Sequence, residues 1–414
     1  MKVCVLTLGC KVNKYESDSL IFDLKNKGYE TSDKLEEADM YIINTCAVTS
    51  EAERKSRQMI ARCKKFNKDA KIFVCGCASQ NSLMKFKDKN IEYISGTSGK
   101  SKIISRLEEK GIFIDEISNI YEDNMTAYQT RTRAYIKIQD GCDNFCTYCI
   151  IPYLRGRSRS RDVESILNEV SSLPNEIQEI VLVGINLMDY KIQGKNGIID
   201  LLEKLDVCGK RIRLGSVEDT FINEDSIQRL SKLKNFCPHF HLSLQSGCDS
   251  TLKRMNRHYT CEEFYNTTSL IKKYFPLAGI TTDVIVGFSE ESQEEFLKTC
   301  EFVKKVGFSS LHIFPYSQRE GTVASKIYKD LDFDVKKKRV KELEKINDSL
   351  KEDFLKQNKE GEVLIEEKEG EYFVGYTKNY VKCYIKGEFF VGDIVKVNML
   401  KPFENGMICS LLEN

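Results

Sequence analysis

The alternation of apolar strand segments with amphipathic helical segments is the feature that most constrains the fold of this 414-residue chain. In the first part of the chain the pattern predicts strands at residues 3–8, 40–44, 71–74 and 91–94, with helices at 13–27 and 50–66. Strands joined through helices run parallel, because a parallel pair needs a long crossover connection. This part is therefore predicted to form a parallel α/β sheet.

The middle of the chain repeats the strand–helix unit six times. Strands are predicted at residues 135–138, 180–183, 211–214, 239–244, 281–286 and 311–314, with helices such as 163–172 and 291–306 between them. Six such units in roughly 200 residues are typical of a partial barrel, here a (β/α)6 barrel. A doubly wound open sheet is the competing interpretation, since it is built from the same units.

From Gly361 the sequence changes to short segments rich in Val, Ile, Tyr and Phe, separated by Glu-Gly, Lys-Asn and Gly-Asp turns. These segments predict a small antiparallel β-barrel that follows a charged helix over residues 334–358. The fold class is thus predicted to be α/β and multidomain. The expected units are a parallel α/β domain at residues 1–125, the partial barrel at 128–357 and the small β-barrel at 358–414.

Composition limits both the chemistry and the location of the chain. With sixteen cysteines and four histidines, any bound metal would be ligated mainly by thiolates, which favours iron–sulfur clusters or zinc. A cysteine-rich chain with no secretory leader and no membrane-length apolar run is expected to be cytoplasmic, without a membrane partner. The net charge of +1 does not favour nucleic acid, so an RNA contact would need local basic patches.

Cys142, Cys146 and Cys149 form a C-x3-C-x2-C run directly after the first predicted barrel strand. Active sites of such barrels are built at the carboxyl ends of the strands. Three thiolates on one short loop can hold three irons of a 4Fe–4S cube and leave the fourth iron open to chelate S-adenosylmethionine (SAM). The alternative is a zinc knuckle, which would need a fourth ligand at similar spacing, and the four histidines lie far along the chain.

A second set of cysteines comes just past the ends of three strands in the first part of the chain. These are Cys10, Cys46 and Cys77, and parallel strand ends meet at one sheet edge, where ligands bind in open α/β folds. The three thiols could converge on a second site, although cysteine is also a common core residue. Cys75 competes with Cys77, because alternation along a strand points both side chains the same way.

Several runs give the chain a resemblance to a known family. They are Thr-Leu-Gly-Cys-Lys-Val-Asn from Thr7, Asn-Thr-Cys-Ala-Val from Asn44, Gly-Cys-Ala-Ser-Gln from Gly76, the C-x3-C-x2-C loop with its sequel to Arg161, Leu-Gln-Ser-Gly from Leu244 and Lys-Arg-Met-Asn-Arg from Lys253. In these runs the chain resembles the methylthiotransferases, which are radical SAM enzymes. The resemblance implies an N-terminal cluster domain, a radical SAM barrel and a C-terminal RNA-binding TRAM domain.

Within that family, Gly-Cys-Lys-Val-Asn from Gly9 is similar to the branch that acts on N6-threonylcarbamoyladenosine (t6A). The branch that acts on isopentenyladenosine usually has Gly-Cys-Gln-Met-Asn there, and the branch that acts on a ribosomal-protein aspartate has Gly-Cys-Pro-Lys-Asn. Both activities remain alternatives, as does a non-catalytic zinc and RNA-binding protein. Departures from the family pattern at Asp219, at Ser289 and over residues 186–190 leave the detailed SAM contacts open.

The resemblance implies a second 4Fe–4S cluster on Cys10, Cys46 and Cys77, and it selects Cys77 over Cys75. It also implies two uses of SAM. One molecule methylates a sulfur carried by the N-terminal cluster, and another yields the radical that removes hydrogen from C2 of t6A, next to the anticodon of tRNA. The reaction would further need a sulfur donor and a reductant protein such as flavodoxin or ferredoxin.

Single residues around these cysteines are candidates for contacts with SAM and RNA. Tyr148, beside the last cluster cysteine, is a candidate to lie along the adenine of SAM, with a packing role as the alternative. Glu218, Ser243 and Gln245 at strand ends, and Gly287, which permits close backbone approach, are further SAM candidates. The RNA candidates are four arginines suited to phosphate contacts, unless they cap helices or form salt bridges: Arg155, Arg157, Arg159 and Arg161.

Overall fold

The computed structural model describes residues 1–87, 91–123, 132–218 and 221–412. The predicted first domain boundary, between residues 125 and 128, lies outside the described residues, as does Asp219. Within the described ranges, no helix is both long enough and apolar enough to span a bilayer.

The first part of the chain forms a six-stranded parallel sheet, as the alternation predicts. Its elements are β1 Lys2–Thr7, α1 Lys11–Asn26, β2 Glu30–Ser32, β3 Met40–Thr45, α2 Ser50–Phe66, β4 Lys71–Gly76, α3 Cys77–Asn81, β5 Tyr93–Ser95 and β6 Gly111–Phe113. The strand order is β2-β1-β3-β4-β5-β6, and every neighbouring pair is parallel. The edge strands β2 and β6 were not predicted, because three residues are too few to show a period.

Burial on both faces explains the continuous apolar runs of the central strands. Val5 and Ile42 pack on one side of the sheet with Leu24 of α1. Tyr41 and Ile43 pack on the other side. Parallel strands covered on both faces are apolar at nearly every position, which is the pattern seen in β3.

The middle of the chain contains six long parallel strands and several two-residue strands. Its elements are β7 Arg133–Lys137, β8 Gln139–Asp140, α4 Ile151–Arg155, β9 Arg159–Ser160, α5 Val163–Ser171, β10 Glu179–Val183, β11 Lys191–Ile192, β12 Lys195–Asn196, α6 Ile198–Asp206, β13 Arg211–Leu214, β14 Ser216–Val217, α7 Glu224–Ser231, β15 His239–Gln245, α8 Asp249–Arg254, α9 Cys261–Tyr274, β16 Gly279–Val286, α10 Gln293–Val306, β17 Ser310–Pro315 and α11 Val323–Ile327.

The order of these strands distinguishes the barrel from the doubly wound sheet. β7, β10 and β13 pair side by side, and so do β14, β15, β16 and β17, all in parallel. Only Gly215 separates β13 from β14, so the two sets are continuous. The strands therefore follow chain order without the reversal that a doubly wound sheet requires. The predicted partial barrel is confirmed.

A long helix leads into a closed five-stranded barrel at the end of the chain. The elements are α12 Phe333–Gln357, β18 Glu360–Glu369, β19 Tyr372–Thr377, β20 Lys382–Ile385, β21 Ile394–Phe403 and β22 Gly406–Leu411. The barrel order is β18-β19-β20-β22-β21. Four of its pairs are antiparallel, and β20 with β22 is parallel. β21 pairs with β18 to close the barrel, so β22 returns beside β20 in the same direction.

A buried network of ion pairs joins the N-terminal sheet to the barrel. Glu16 of α1 accepts hydrogen bonds from Lys137 at 2.8 Å and from Arg155 at 2.9 Å, and it also pairs with Lys100. Asp140 pairs with Lys137 at 2.7 Å and with Arg155 at 3.0 Å. Burial alone would raise the pKa of the Glu16 carboxyl, but the three cations lower it well below its usual range. Glu16 is therefore ionised in the folded chain.

Replacing Arg155 by Met is expected to lower the free energy of unfolding by about 3–5 kcal/mol, because Glu16 and Asp140 would lose a partner that both share. Urea unfolding followed by circular dichroism measures the loss. Arg157→Met is the matched control, since the Arg157 side chain is 66 % exposed, and its effect should stay within about 0.5 kcal/mol. Equal losses for the two variants would contradict a structural role for Arg155.

Candidate functional site

A cavity of about 1010 Å³ lies where the N-terminal sheet, the partial barrel and the small β-barrel meet. Its walls include residues from all three parts of the chain. All the predicted cluster cysteines line it, although they come from two separate sets: Cys10, Cys46, Cys77, Cys142, Cys146 and Cys149. The structure thus brings two cysteine triads to one cavity.

Strand register places the first triad at one sheet edge. Asn44 of β3 pairs with Thr7 of β1 and with Cys75 of β4. Each of the three strands ends at this position or one residue later. The loops can approach closely because residue 9 is glycine. Gly9 has φ of +101°, and a Cβ there would lie 2.7 Å from Cys46 Sγ.

Cys75 and Cys77 lie in different surroundings, which alternation alone could not show. Cys75 is part of β4 and is buried in the core beside Phe73. Cys77 begins α3 and faces the cavity. Between them Gly76 has φ of +104°, and a Cβ there would lie 2.6 Å from the Thr45 carbonyl oxygen. This left-handed turn breaks the strand alternation between the two cysteines.

Polar side chains from the segments that follow β14 and α8 contact the loop of the second triad. Arg257 Nη1 donates a hydrogen bond to Cys146 Sγ at 3.3 Å, and Arg257 Nη2 lies 2.9 Å from Glu218 Oε1. Asn144, inside the cysteine loop, also donates to Glu218, at 2.7 Å. Glu218 therefore lies at the cavity as predicted. Arg257 was missed as a site residue, because its sulfur partner is 111 residues away in sequence.

Among the described residues, neither cysteine triad has the close donor spacing of a single-ion site. In the part of the chain that the structure describes, three donor atoms within 4.8 Å of one another occur at His241, Asp283 and His312, and neither cysteine triad meets that spacing. Two sulfurs on one zinc lie at most ~4.6 Å apart, since each Zn–S bond is ~2.3 Å.

Burial also shapes the protonation of these thiols. It raises the pKa of Cys142 and of Cys149 to about 12, and that of Cys46 to about 11. Neutral thiols in such a place become thiolate ligands when a metal cation compensates the buried charge. The donor set therefore fits the group that the sequence implies.

Most of the predicted SAM candidates lie on the cavity wall. The Tyr148 ring packs edge-on against Phe288, with the ring centroids 6.3 Å apart. Gln245 has φ of +67° at the end of β15, where the register with β16 shifts, so local strain turns its side chain at the strand end. The wall includes four of the five candidates: Tyr148, Glu218, Ser243 and Gln245.

Gly287 is glycine for a reason other than the predicted one. It is not among the residues that line the cavity. Its φ is +65°, and a Cβ there would lie 2.5 Å from Cγ of Lys336. Its N–H donates to Glu291 Oε2 at 2.7 Å. The missing side chain therefore makes room for α12 to pack against the barrel.

Two of the four predicted RNA arginines face the interior. Arg155 is 1 % exposed within the ion-pair network, and Arg161 is buried between Glu169 and Asp123. These two arginines therefore have the salt-bridge role that the sequence left as the alternative, because carboxylates already surround both guanidinium groups. A dense run of arginines in sequence does not show which members face solvent.

The other two arginines differ from each other in exposure. Arg159 is 9 % exposed and donates to the Arg155 carbonyl oxygen at 2.8 Å. Arg157 is exposed and lies over the ring of Phe145, 4.5 Å from its centroid. Phe145 belongs to the cysteine loop, so Arg157 marks a cationic and aromatic surface beside the second triad.

Two family models match separate parts of the chain. Residues 2–96 match the model described as uncharacterized protein family UPF0004, and residues 136–303 match the radical SAM superfamily. The fold also resembles that of a radical SAM methyltransferase, TsrM from Kitasatospora setae, which was solved with cobalamin and a [4Fe-4S] cluster. The TM-score is 0.58 and the sequence identity 12 %, with 78 % of this chain and 77 % of that chain covered.

Relatives with curated names match nearly the whole chain. Threonylcarbamoyladenosine tRNA methylthiotransferase MtaB of Bacillus subtilis (strain 168) is 40 % identical, covering 99 % of this chain and 96 % of the relative. The protein of the same name from Thermotoga maritima is 35 % identical, covering 98 % and 96 %. The tRNA-2-methylthio-N(6)-dimethylallyladenosine synthase of Thermodesulfovibrio yellowstonii is 34 % identical, covering 98 % and 97 %. The chain therefore belongs to the methylthiotransferase family of radical SAM enzymes.

Proposed function

We propose that this chain adds a methylthio group to C2 of t6A, next to the anticodon of tRNA, with two 4Fe–4S clusters and SAM as cofactors. The observation that carries the proposal is the one cavity that both cysteine triads line. Relatives named for threonylcarbamoyladenosine support the choice of base, since they are 35–40 % identical over nearly the whole chain.

The clusters held by the two triads would have different roles in the reaction. A 4Fe–4S cluster with an open iron supplies the electron that cleaves SAM, and so the radical that an aromatic C2–H bond requires. Arg257 keeps a positive charge beside Cys146, and Tyr148 is placed to pack against SAM. In this proposal Cys142, Cys146 and Cys149 hold the SAM-binding cluster, while the sulfur-carrying cluster is held by Cys10, Cys46 and Cys77.

The RNA would enter from the side where Arg157 is exposed and lies over the half-buried ring of Phe145. A guanidinium over an aromatic ring offers a phosphate contact and a stacking surface in one place. The small β-barrel at residues 358–414 would serve as the RNA-binding domain, beside domains at 1–125 and 128–357. The reaction consumes sulfur and electrons, so its partners would include a sulfur donor and a reductant protein such as flavodoxin or ferredoxin. Because its substrate is tRNA, we place the reaction in the cytoplasm.

Deleting the gene is expected to remove the 2-methylthio form of t6A from total tRNA and to leave t6A without a methylthio group in its place. Mass spectrometry of tRNA nucleosides measures both. The 2-methylthio form of isopentenyladenosine should persist where the organism makes it. If that second nucleoside disappears while the first remains, the chain acts on isopentenyladenosine instead.

Replacing Cys10, Cys46 and Cys77 together by Ala is expected to reduce iron from about eight to about four atoms per chain, since one cube would lose all its thiolates. The variant should still release 5′-deoxyadenosine from SAM when reduced, but should transfer no methylthio group. Cys75→Ala is the matched control and should leave both iron and activity near normal. Methylthiolated tRNA from the triple variant would disprove the assignment.

Replacing Arg157 by Glu is expected to weaken tRNA binding and to flatten the slope of log affinity against log salt concentration by roughly 0.7–1. Filter binding over a salt series gives the slope. Lys65→Glu, an exposed change on α2, is the control for net charge. An unchanged slope in the Arg157 variant would mean that this side chain does not contact phosphate.

A further inference from the structure

Positive charge is concentrated on the wall of the cavity. Among the described residues, seven cationic side chains line it against two carboxylates, in a chain whose net charge is only +1. The cations are Lys11, Arg133, Arg155, Arg213, Arg257, Lys351 and Lys382, and the acids are Glu218 and Asp283.

Five of these cations are already neutralised by an ion pair. The pairs are Arg133 and Arg213 with Glu179, Arg155 with Glu16, Arg257 with Glu218, and Lys382 with Glu369. Over the ranges that the structure describes, the side chains of Lys11 and Lys351 make neither a hydrogen bond nor an ion pair. These two ammonium groups are therefore available to a ligand in the cavity.

Of these two lysines, Lys11 is the one that lies next to a predicted cluster cysteine in the sequence. It is the first residue of α1 and directly follows Cys10, so its backbone is fixed beside the first triad. The Lys11 side chain is exposed to solvent and lines the cavity. Arg133 and Arg213 of the barrel strands line the same cavity as Lys11. The Lys11 side chain therefore lies in the same cavity as the positive charges on the barrel strands.

The carboxylates that attract Lys11 have partners of their own. These are Asp283 and Glu179. Asp283 lies 3.3 Å from an imidazole nitrogen of His241 and 3.3 Å from one of His312. Glu179 is held by two arginines. Among the described residues, neither acid forms an ion pair with Lys11, and an ammonium group without such a pair gains from a ligand that brings negative charge.

We propose that Lys11 binds the threonyl carboxylate of t6A and selects this base over adenosines with hydrocarbon substituents; the inference rests on the function proposed above. The threonylcarbamoyl group ends in a carboxylate, whereas a dimethylallyl group has no polar atom. A carboxylate completes the ion pair that Lys11 lacks. A hydrocarbon would desolvate the ammonium group and leave it without a partner, which disfavours that substrate.

Neutralising the substrate carboxylate tests the contact directly. The probes are an anticodon stem–loop carrying t6A and the same RNA with the threonyl group as its methyl ester, each bound to the cluster-loaded enzyme. Wild-type enzyme should bind the ester roughly 10- to 100-fold more weakly, as expected for a lost charged hydrogen bond. Lys11→Gln should bind both RNAs alike. Lys65→Gln, an exposed change on α2 outside the cavity lining, is the control for charge and should keep the wild-type ratio.

The outcomes separate the two proposals. Equal binding of acid and ester by the wild-type enzyme overturns the role of Lys11, and so does full discrimination by Lys11→Gln. If Lys11→Gln fails to load iron, Lys11→Arg takes its place and should retain a preference for the acid. Failure of the wild-type enzyme to methylthiolate the t6A stem–loop at all would overturn the proposed function instead.

Discussion

The contact of Arg155 with the carboxylates of Glu16 and Asp140 is the interaction on which the site depends. Glu16 lies on α1, which begins directly after Cys10, and Arg155 ends α4, which begins two residues after Cys149. One buried guanidinium therefore connects the supports of both triads. Buried ion pairs fix geometry at a high desolvation cost, and losing one partner leaves a charge stranded. This contact therefore ties α1 to the segment that carries Arg155.

The small β-barrel forms part of the cavity wall near the amino ends of the partial-barrel strands. Arg213 donates to the carbonyl oxygens of Thr377 and Lys378, and the ring of Tyr380 stacks on His239 with the centroids 4.6 Å apart. A Cβ at residue 279 would lie 2.2 Å from a carbonyl oxygen of that barrel, so glycine there allows direct contact. The C-terminal barrel is therefore part of the cavity wall.

Local pattern was enough to predict the longer strands and the convergence of Cys10 and Cys46, because parallel strand ends must share an edge. It could not separate Cys75 from Cys77, since the left-handed turn between them depends on how closely two loops approach. It could not show that Arg155 is buried, because only the tertiary fold brings Glu16 to it. Arg257 was missed for the same reason: its sulfur partner lies far away in sequence.

The central claim is that two clusters face one another across a single cavity. Electron paramagnetic resonance of the protein with both clusters reduced tests it most directly, because two unpaired spins within one cavity couple magnetically. The expected spectrum shows this coupling, and it collapses to one isolated signal when the first triad is replaced by alanine. Two independent signals in the wild-type protein, with no coupling between them, would contradict the shared cavity.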